Sequence, residues 1–317
     1  MHNKTRYLAV VGTTLALAAL SAPAHAQATR TFVSGVGNDA DPCSRTAPCK
    51  TFAGAISKTF INGEIDCLDP GGYGAVTITK SITIDCTGTY GSILASGTNG
   101  IVINIPVSAN DPFRTVRIRG LSINGTGASG TIGTRTGLKG ISISQAATVI
   151  IEDSVISDFS QQGINDARTT GGKLLIRNTV IRDNTLAGIV AAGTGGTNNV
   201  SIENVHSINN GFGVATATGN KVSIVRSVFA GNTTAGIEAD LGGQVGVDST
   251  VATGNNIGLQ NSGTMSVSES EVSFNTTGAS GAFTSFGNNR IFGNTSAGTA
   301  PTVGAASSDH GQQSRTG

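Results

Sequence analysis

A degenerate repeat of about two dozen residues is the feature that most constrains this chain. Six segments align on an apolar residue, here called the anchor, and successive anchors lie 20 to 26 residues apart: Ile151, Ile176, Ile202, Ile224, Val247 and Val267. Weaker matches extend the series to Ile65, Ile84 and Ile118 upstream and to Phe286 downstream. A repeat of this length is typical of solenoids, in which each unit buries its apolar face only against its neighbours.

The columns of this repeat predict strands. The anchor and the residue two positions before it are apolar, as in Val149 and Ile151, which is the period of a strand with one face inward. A second apolar column follows five residues after the anchor, and a glycine column follows eleven or twelve residues after it. We interpret this glycine as a corner residue that needs positive φ. We therefore predict an all-β fold, a single-stranded right-handed parallel β-helix of about ten coils over residues 64–295.

An asparagine stands eight residues after six of the anchors, from Ile176 to Phe286. The column is Asn184, Asn210, Asn232, Asn255, Asn275 and Asn294. Asparagine tolerates a left-handed turn, and its amide can both donate and accept hydrogen bonds. We predict an internal ladder of stacked amides; the alternative is a row of amides that contact a glycan.

Residues 1–26 have the pattern of a secretory signal peptide. A basic start is followed by the apolar stretch 7–20 and by Ala24-His25-Ala26, which predicts cleavage near Ala26. The apolar stretch is shorter than the ~20 residues of a membrane span, and no later segment is long enough. Without Lys4 and Arg6, 18 basic residues face 19 acidic ones, which argues against nucleic acid as a partner. We predict a secreted protein, periplasmic or extracellular.

Two segments flank the predicted coils. Residues 27–63 are interpreted as an N-terminal strand and an amphipathic cap helix over 48–60, because Phe52, Ala55, Ile56 and Phe60 fall at helical spacing. Residues 296–317 are rich in Gly, Ser, Thr and Ala without pattern, and we predict a disordered tail.

All four cysteines lie near the predicted mature N-terminus, and an exported chain meets an oxidising compartment: Cys43, Cys49, Cys67 and Cys86. The tripeptide Ile-Asp-Cys occurs twice, ending at Cys67 and Cys86. On successive coils these sulfurs would lie on strands about 4.8 Å apart, within reach of a disulfide. This favours Cys43–Cys49 with Cys67–Cys86, although two other pairings remain open. The CxxC spacing of zinc sites is absent.

Asp158 and Asp183 are the best catalytic candidates. Both stand seven residues after an anchor, so on adjacent coils their carboxylates should stack, with Arg182 beside them. Two close carboxylates suit acid–base chemistry or the binding of Ca²⁺. Ca²⁺ is the one metal that the sequence suggests, and the sequence contains no evident cofactor motif. Asp166, Arg168 and Lys173 could lie near. The alternative is a pair of solvated turn aspartates.

A ligand surface is predicted around the two longest repeats. Tyr73, Tyr90 and Phe113 are candidate aromatic platforms for a sugar, and the cations Arg114, Arg117, Arg135 and Lys139 are candidate anion contacts. Arg119, Glu152, Arg177 and Glu203 alternate in sign one residue after successive anchors, and we interpret them as ion pairs across strands.

The chain resembles the pectate-lyase-like superfamily of right-handed β-helices. The segment from Val33, VSGVGNDADPCSRTAPCKTFAGAI, is similar to the N-terminal signature of secreted members. The resemblance implies the fold, whereas members range from pectate lyases and polygalacturonases to adhesins. Arg117-Ile118-Arg119 is the nearest match to a polygalacturonase motif, but Asp-Asp and Gly-His-Gly are absent, so no catalytic residue carries over.

Three functional hypotheses follow. The preferred one is a secreted β-helix that binds a polysaccharide or a cell-surface partner without catalysis. The second is a lyase or glycoside hydrolase acting on a uronate-containing polysaccharide. The third is a structural surface or matrix solenoid that self-associates through its ends, which would make its mass depend on concentration.

Overall fold

A computed structural model describes residues 27–126 and 135–304. The described chain runs repeatedly through three parallel sheets, so that each coil contributes one strand to the first, second and third sheet in turn. The second and third sheets have ten strands each, and one short helix is the only α-helix of the described residues. The predicted fold class, an all-β parallel β-helix of about ten coils, is confirmed. The predicted leader, residues 1–26, lies outside the described residues.

The strands are short, and each pairs with the strand of the preceding and the following coil. The first sheet consists of Ala28–Val33, Thr59–Cys67, Ile82–Asp85, Thr115–Arg119, Thr148–Glu152, Gly172–Arg177, Asn198–Glu203, Lys221–Val225, Gln244–Asp248, Thr264–Ser268, Thr284–Ser285 and Thr302–Val303. The second consists of Gly71–Gly72, Gly91–Leu94, Leu121–Asn124, Val155–Ser157, Val180–Arg182, His206–Ile208, Val228–Ala230, Val251–Thr253, Glu271–Ser273 and Arg290–Phe292. The third consists of Val76–Ile78, Ile101–Asn104, Ile141–Gln145, Ile164–Asp166, Ala187–Ala191, Phe212–Thr216, Ala235–Ala239, Ile257–Asn261, Thr277–Ser280 and Ser296–Gly298.

The anchors form one inward column of the first sheet. From Ile65 to Val267 every anchor pairs in register with the next, and all are buried. The last predicted anchor is wrong, because Val267 pairs with Ser285 and Phe286 is 52% exposed. The neighbouring inward position is filled by Phe283, which is 3% exposed. The sheets supply β-branched side chains to a continuous apolar core, whose burial is the main stabilising term of a solenoid.

The turn from one sheet to the next is called a corner; the second corner joins the second sheet to the third. The predicted asparagine column lies inside it. Asn232, for example, donates from its backbone N and its Nδ2 to Asn255 Oδ1, both at 2.9 Å. Its own Oδ1 accepts from the backbone N of Asn210 at 3.0 Å. The ladder thus satisfies buried polar groups that a bare corner would leave without partners.

The structure contains the disulfides Cys43–Cys49 and Cys67–Cys86. Helix α1, Phe52–Lys58, is shorter than the predicted 48–60 and starts at Thr51, whose side chain accepts from Gly54 N at 3.0 Å. Phe52 packs on Tyr73 with ring centroids 5.2 Å apart. Phe60 lies outside the helix in a strand and is 52% exposed, so its predicted place on the helix is wrong.

The sheets extend beyond the predicted bounds of the solenoid. Ala28–Val33 belongs to the first sheet rather than to a separate N-terminal segment, because it pairs with Thr59–Cys67. At the other end, Ser296–Gly298 and Thr302–Val303 form strands, which corrects the predicted disordered tail for residues 296–303. Residues 305–317 lie outside the described residues. Within the described ranges, no helix is long and apolar enough to cross a membrane.

Candidate functional site

The outer face of the first sheet carries a series of charged side chains in the N-terminal half of the solenoid. Arg30 contacts Glu64 at 2.5 Å and Asp66 at 3.4 Å. Further along, Glu152 lies among three guanidinium groups, at 3.8 Å from Arg117, 3.5 Å from Arg119 and in hydrogen-bond contact with Arg177. Arg119 also contacts Asp85 at 2.9 Å. Arg119 and Arg177 therefore do form the predicted ion pairs across strands with Glu152, whereas Glu203 contacts Arg226 rather than Arg177.

An acidic depression of about 400 Å³ lies at the start of this face, where Glu64, Asp66 and Asp85 meet Arg45. Burial, followed by the charge and the hydrogen bond of Glu64, raises the pKa of Asp66 from 3.8 to about 6, although Arg30 opposes the rise. Asp66 and Asp85 pair in register on neighbouring strands. The cluster therefore holds a proton in the mildly acidic range.

The C-terminal half of the same face is lined by small polar side chains. One residue before successive anchors, four outward positions pair in register: Ser201, Ser223, Gly246 and Ser266. Because these side chains are short, they form the floor of a trough of about 380 Å³, whose lining also includes Asn199, Lys221, Gln244 and Thr264. A second depression, of about 310 Å³, continues the trough past Leu175 and Glu203. The trough thus offers hydroxyl and amide groups over several coils.

The predicted catalytic residues lie at the second corner, away from the first sheet. Asp183 contacts Arg182 at 2.5 Å, and Asp158 accepts from Asn124 Nδ2 at 2.9 Å. The backbone φ is positive at both aspartates, 66° at Asp158 and 57° at Asp183. The same column continues with Asn209, Gly231, Gly254, Phe274 and Gly293, all at positive φ, and Phe274 is its one large side chain. The shared backbone conformation accounts for aspartate at both positions, since Asp, Asn and Gly tolerate it best.

Asp166 and Arg168 do not join these aspartates. Both are fully buried at the third corner, between the third sheet and the next strand of the first. Arg168 binds both carboxylate oxygens of Asp166, at 2.8 and 2.6 Å, and the carbonyl oxygen of Lys173 at 3.1 Å. The sequence-based expectation that they lie near Asp158 and Asp183 is therefore wrong, because these side chains point into the solenoid.

The predicted ligand residues are distributed over three corners. Tyr90 precedes a strand of the second sheet, Phe113 and Arg114 precede one of the first, and Arg135 and Lys139 precede one of the third. Arg114 donates from Nε to the carbonyl oxygen of Ile105 at 2.9 Å, and Arg135 donates to Thr185 Oγ1 at 3.1 Å. Arg117 alone lies on the outer face of the first sheet. The six residues do not form one surface, although Tyr90 and Phe113 are exposed, at 87% and 64%.

The turn before the helix uses its acidic groups for structure. Asp39 Oδ1 accepts from the backbone N of Lys50 and of Thr51 at 2.8 and 2.9 Å, and Oδ2 accepts from Thr51 Oγ1 at 2.7 Å. These bonds, with the charge of Lys58, hold the pKa of Asp39 below its usual value despite burial. Among the described residues, no cluster of three His, Cys, Asp or Glu side chains is arranged to hold a metal ion. Calcium at Asp158 and Asp183 stays a prediction.

Sequence reasoning missed the serine column of the trough. Its signal was present, because Ser201, Ser223 and Ser266 all stand one residue before an anchor. Small outward residues carry no apolar period, however, so the alignment did not single them out. The trough exists only because neighbouring coils bring the column into register.

Comparison with solved structures shows a similar solenoid. A complex of XylC with xylose has 13% sequence identity and a TM-score of 0.62, covering 82% of this chain and 70% of XylC. This chain has the parallel β-helix fold of XylC. Pectate lyase Pel9A has 16% identity and a TM-score of 0.45, covering 87% of this chain and 77% of the lyase. The A-module of mannuronan C-5 epimerase AlgE6 from Azotobacter vinelandii has 15% identity and a TM-score of 0.49, covering 76% of this chain and 89% of the module.

No protein-family model and no curated protein sequence matches the chain. The resemblance inferred from the sequence is thus confirmed at the level of the fold. Identities of 13 to 16% show the fold alone.

Proposed function

We propose that the protein binds a polysaccharide along the trough on the outer face of the first sheet, without catalysis. The observation that carries this proposal is the register of Ser201, Ser223, Gly246 and Ser266, which makes a continuous floor of short polar side chains. Strands repeat every 4.7–4.9 Å, so a linear chain of sugars lying along the solenoid meets the same groups again on each coil.

The chemistry of the lining fits sugar hydroxyl groups. Serine hydroxyls donate and accept, and the amides of Asn199 and Gln244 do both through separate atoms. Lys221 is the single cation among the residues that line the trough. The arginines nearest the trough form ion pairs with Glu152 and Glu203, and Lys173, in register with Asn199, is a further exposed cation at its end. Because hydroxyl and amide groups make up most of the lining, the trough favours a chain of low charge.

The structural similarity supports a sugar ligand in general terms. XylC was solved with xylose, an uncharged sugar. The two predicted disulfides are present, as is usual for proteins that act outside the cytoplasm, where polysaccharides of the envelope and of biomass are found. Secretion through the predicted leader is part of this proposal.

Filling the trough tests the proposal. In the double variant Ser201→Ile, Ser223→Ile, branched side chains suited to strands replace two hydroxyls of the floor. Native affinity electrophoresis through gels that contain xylan, glucomannan or polygalacturonate measures retardation. We expect at least one uncharged polysaccharide to retard the wild type, and we expect the double variant to lose at least tenfold in affinity.

The matched control is Ser142→Ile, which makes the same change at an outward position of the third sheet. It should leave the retardation within about twofold of wild type. Equal retardation of the double variant and the control would reject the trough, and a wild type that no polysaccharide retards would reject the function.

A further inference from the structure

The first corner of the second coil, which joins the first sheet to the second, carries an extra loop. Residues 87–90 separate Cys86 from strand Gly91–Leu94, whereas two coils later only Asp153 and Ser154 separate the corresponding strands. Asp85 Oδ1 accepts from Thr87 N at 2.8 Å, and the carbonyl oxygen of Cys86 accepts from Thr89 N at 3.0 Å. The disulfide to Cys67 holds the base of the loop. The loop is therefore held both by hydrogen bonds to its backbone and by a disulfide.

This loop and the second sheet border an open cleft of about 570 Å³. Its lining includes Ser92, Ser122 and Val155, which pair in register on three adjacent strands of the second sheet. Gly120 allows the loop to approach, because a Cβ at this position would lie 2.7 Å from Thr87 N. The volume is in the range of small-ligand sites, which is about 300–1,000 Å³.

Tyr90 forms one side of the cleft, and its side chain is free. The backbone carbonyl of Tyr90 accepts from Gly71 N at 3.2 Å, which fixes the position of the residue, while the residue as a whole is 87% exposed. An aromatic ring held on a rigid loop offers a flat apolar face with little loss of conformational entropy on binding.

Asp153 gives the cleft its charge. Of the cleft-lining residues in the described part of the chain, Asp153 alone is ionisable apart from Tyr90. Its Oδ1 accepts from Asn178 Nδ2 at 3.0 Å, which orients the carboxylate. The guanidinium of Arg177 interacts electrostatically with this carboxylate but forms its ion pair with Glu152. Asp153 therefore has no ion-pair partner among the described residues, and its carboxylate accepts hydrogen bonds from hydroxyl groups and repels anions. The cleft is thus complementary to a ligand with an apolar face and several hydroxyl donors, and it disfavours a uronate.

From this combination we infer that the cleft binds one uncharged sugar residue, whose ring stacks on Tyr90 and whose hydroxyls donate to Asp153. The site lies on the second sheet and shares no residue with the serine trough of the first sheet. It therefore adds a second point of attachment to a polysaccharide, and each of the two sites can be tested independently of the other.

Tyrosine fluorescence gives a direct measurement of this site. The chain has no Trp and three Tyr, of which Tyr7 lies in the predicted leader and Tyr73 is buried. Quenching by acrylamide in the mature protein therefore reports mainly on Tyr90. We expect a xylo-, manno- or gluco-oligosaccharide to protect Tyr90 from quenching and an oligogalacturonate to give no protection. The variant Tyr90→Phe removes the signal and so assigns it.

Two further variants complete the test, with binding measured by titration calorimetry of the same oligosaccharide. Tyr90→Ala should weaken binding at least tenfold, whereas Tyr90→Phe, which keeps the ring, should stay within about threefold. Asp153→Gly should weaken binding at least fivefold; Glu269→Gly, which removes an acidic side chain at the same corner position with φ 49°, is its matched control and should have no effect.

Protection by no uncharged oligosaccharide, or equal protection by oligogalacturonate, would overturn the inference. The trough variant Ser201→Ile, Ser223→Ile separates the two proposals. If it still shows protection of Tyr90 but is no longer retarded by polysaccharide gels, both sites exist. If Tyr90→Ala binds oligosaccharide as the wild type does while the trough variant does not, the cleft fails and the trough remains.

Discussion

At the scale of single residues, backbone conformation explains several side chains that look chemical in the sequence. Asp158 and Asp183 occupy a left-handed position that later coils fill with Asn209, Gly231 and Gly254. Their carboxylates have local partners, Asn124 and Arg182. Conversely, Asp66 looks like an ordinary outward residue, yet its surroundings raise its pKa to about 6. Residue identity alone therefore does not rank the candidate sites.

The left-handed position makes a prediction for Asp183. Asp183→Val places a β-branched side chain at φ 57°, which should cost about 1–2 kcal/mol of unfolding free energy. Asp183→Gly should stay within about 0.5 kcal/mol of wild type, because glycine tolerates this φ. Urea denaturation followed by circular dichroism measures both. Equal stability of the two variants would show that the corner does not constrain this residue.

The buried pair of Arg168 and Asp166 makes a second prediction. Arg168→Met leaves the Asp166 carboxylate uncompensated in the interior, which should cost about 3–5 kcal/mol. Arg182→Met removes the partner of Asp183 in a pair that is partly exposed, and should cost less than about 1 kcal/mol. The comparison of urea midpoints checks the difference; a small loss for Arg168→Met would mean that water reaches the pair.

The acidic cluster predicts a pH dependence of stability. Because the pKa of Asp66 in the folded protein is about 6, above the ordinary 3.8, the folded state retains a proton that the unfolded chain releases. The stability from this group is fully present below pH 3.8 and is lost as the pH rises through about 6. Asp66→Asn should therefore raise stability at pH 7, on the order of 1 kcal/mol after solvent screening, and leave it nearly unchanged near pH 4. Urea unfolding at the two pH values measures this; equal effects at both would contradict the shift.

At the scale of elements, the corners specify the fold as much as the strands do. The strands of the second sheet are mostly three residues long, too short to define a register by themselves. The asparagine ladder inside the second corner supplies the missing constraint, since each amide must meet the next. A ladder member therefore carries more stability than its exposed neighbours.

Two adjacent asparagines provide a matched test of the ladder. Asn255 is 2% exposed and bonds Asn275 Oδ1 from N and Nδ2 at 2.8 and 3.0 Å, whereas Asn256 is exposed. Asn255→Ala leaves the donors of Asn232 without an acceptor, and buried unsatisfied groups cost about 1–3 kcal/mol each. We expect Asn255→Ala to lose at least about 2 kcal/mol and Asn256→Ala less than about 0.5 kcal/mol by urea denaturation. Similar losses would refute the ladder as a stabilising element.

At the scale of the whole molecule, the two disulfides stand at the N-terminal end of a stack that otherwise depends on contacts between neighbouring coils. Cys67–Cys86 joins the ends of two neighbouring strands of the first sheet, Thr59–Cys67 and Ile82–Asp85, and Cys43–Cys49 closes the turn before the helix. A stack of this kind is stable only when its end coils are held, because a terminal coil has a neighbour on one side only.

Loop length predicts the relative importance of the two disulfides. They span 19 and 6 residues, so in the chain-entropy model the longer loop contributes about 1 kcal/mol more. The double variant Cys67→Ser, Cys86→Ser should therefore have a lower melting temperature than Cys43→Ser, Cys49→Ser, and the wild type the highest. The reverse order, measured by calorimetry, would assign the greater role to the turn before the helix.

The sequence by itself determined the coil, its inward columns and the asparagine ladder, because these features are periodic and recur from repeat to repeat. It also indicated which cysteines would meet, since the same tripeptide recurs one coil later. Phe286 and Phe60 show where this reasoning ends: an apolar residue matches the pattern, but register and burial depend on neighbours that the pattern does not contain.

Only the tertiary structure decided where the side chains between the columns lie. The serine trough and the cleft beside Tyr90 arise from residues on different coils, separated by about one or more repeats in the chain. Asp166 and Arg168 are only two residues apart, but the corner geometry decides that both side chains are buried. The predicted ligand residues were chosen by type and by loop length, and they lie at three different corners. Stacking places residues that are one repeat apart in the sequence on strands about 4.8 Å apart. The face on which a loop residue lies depends on the geometry of the corner, which the repeat period does not specify.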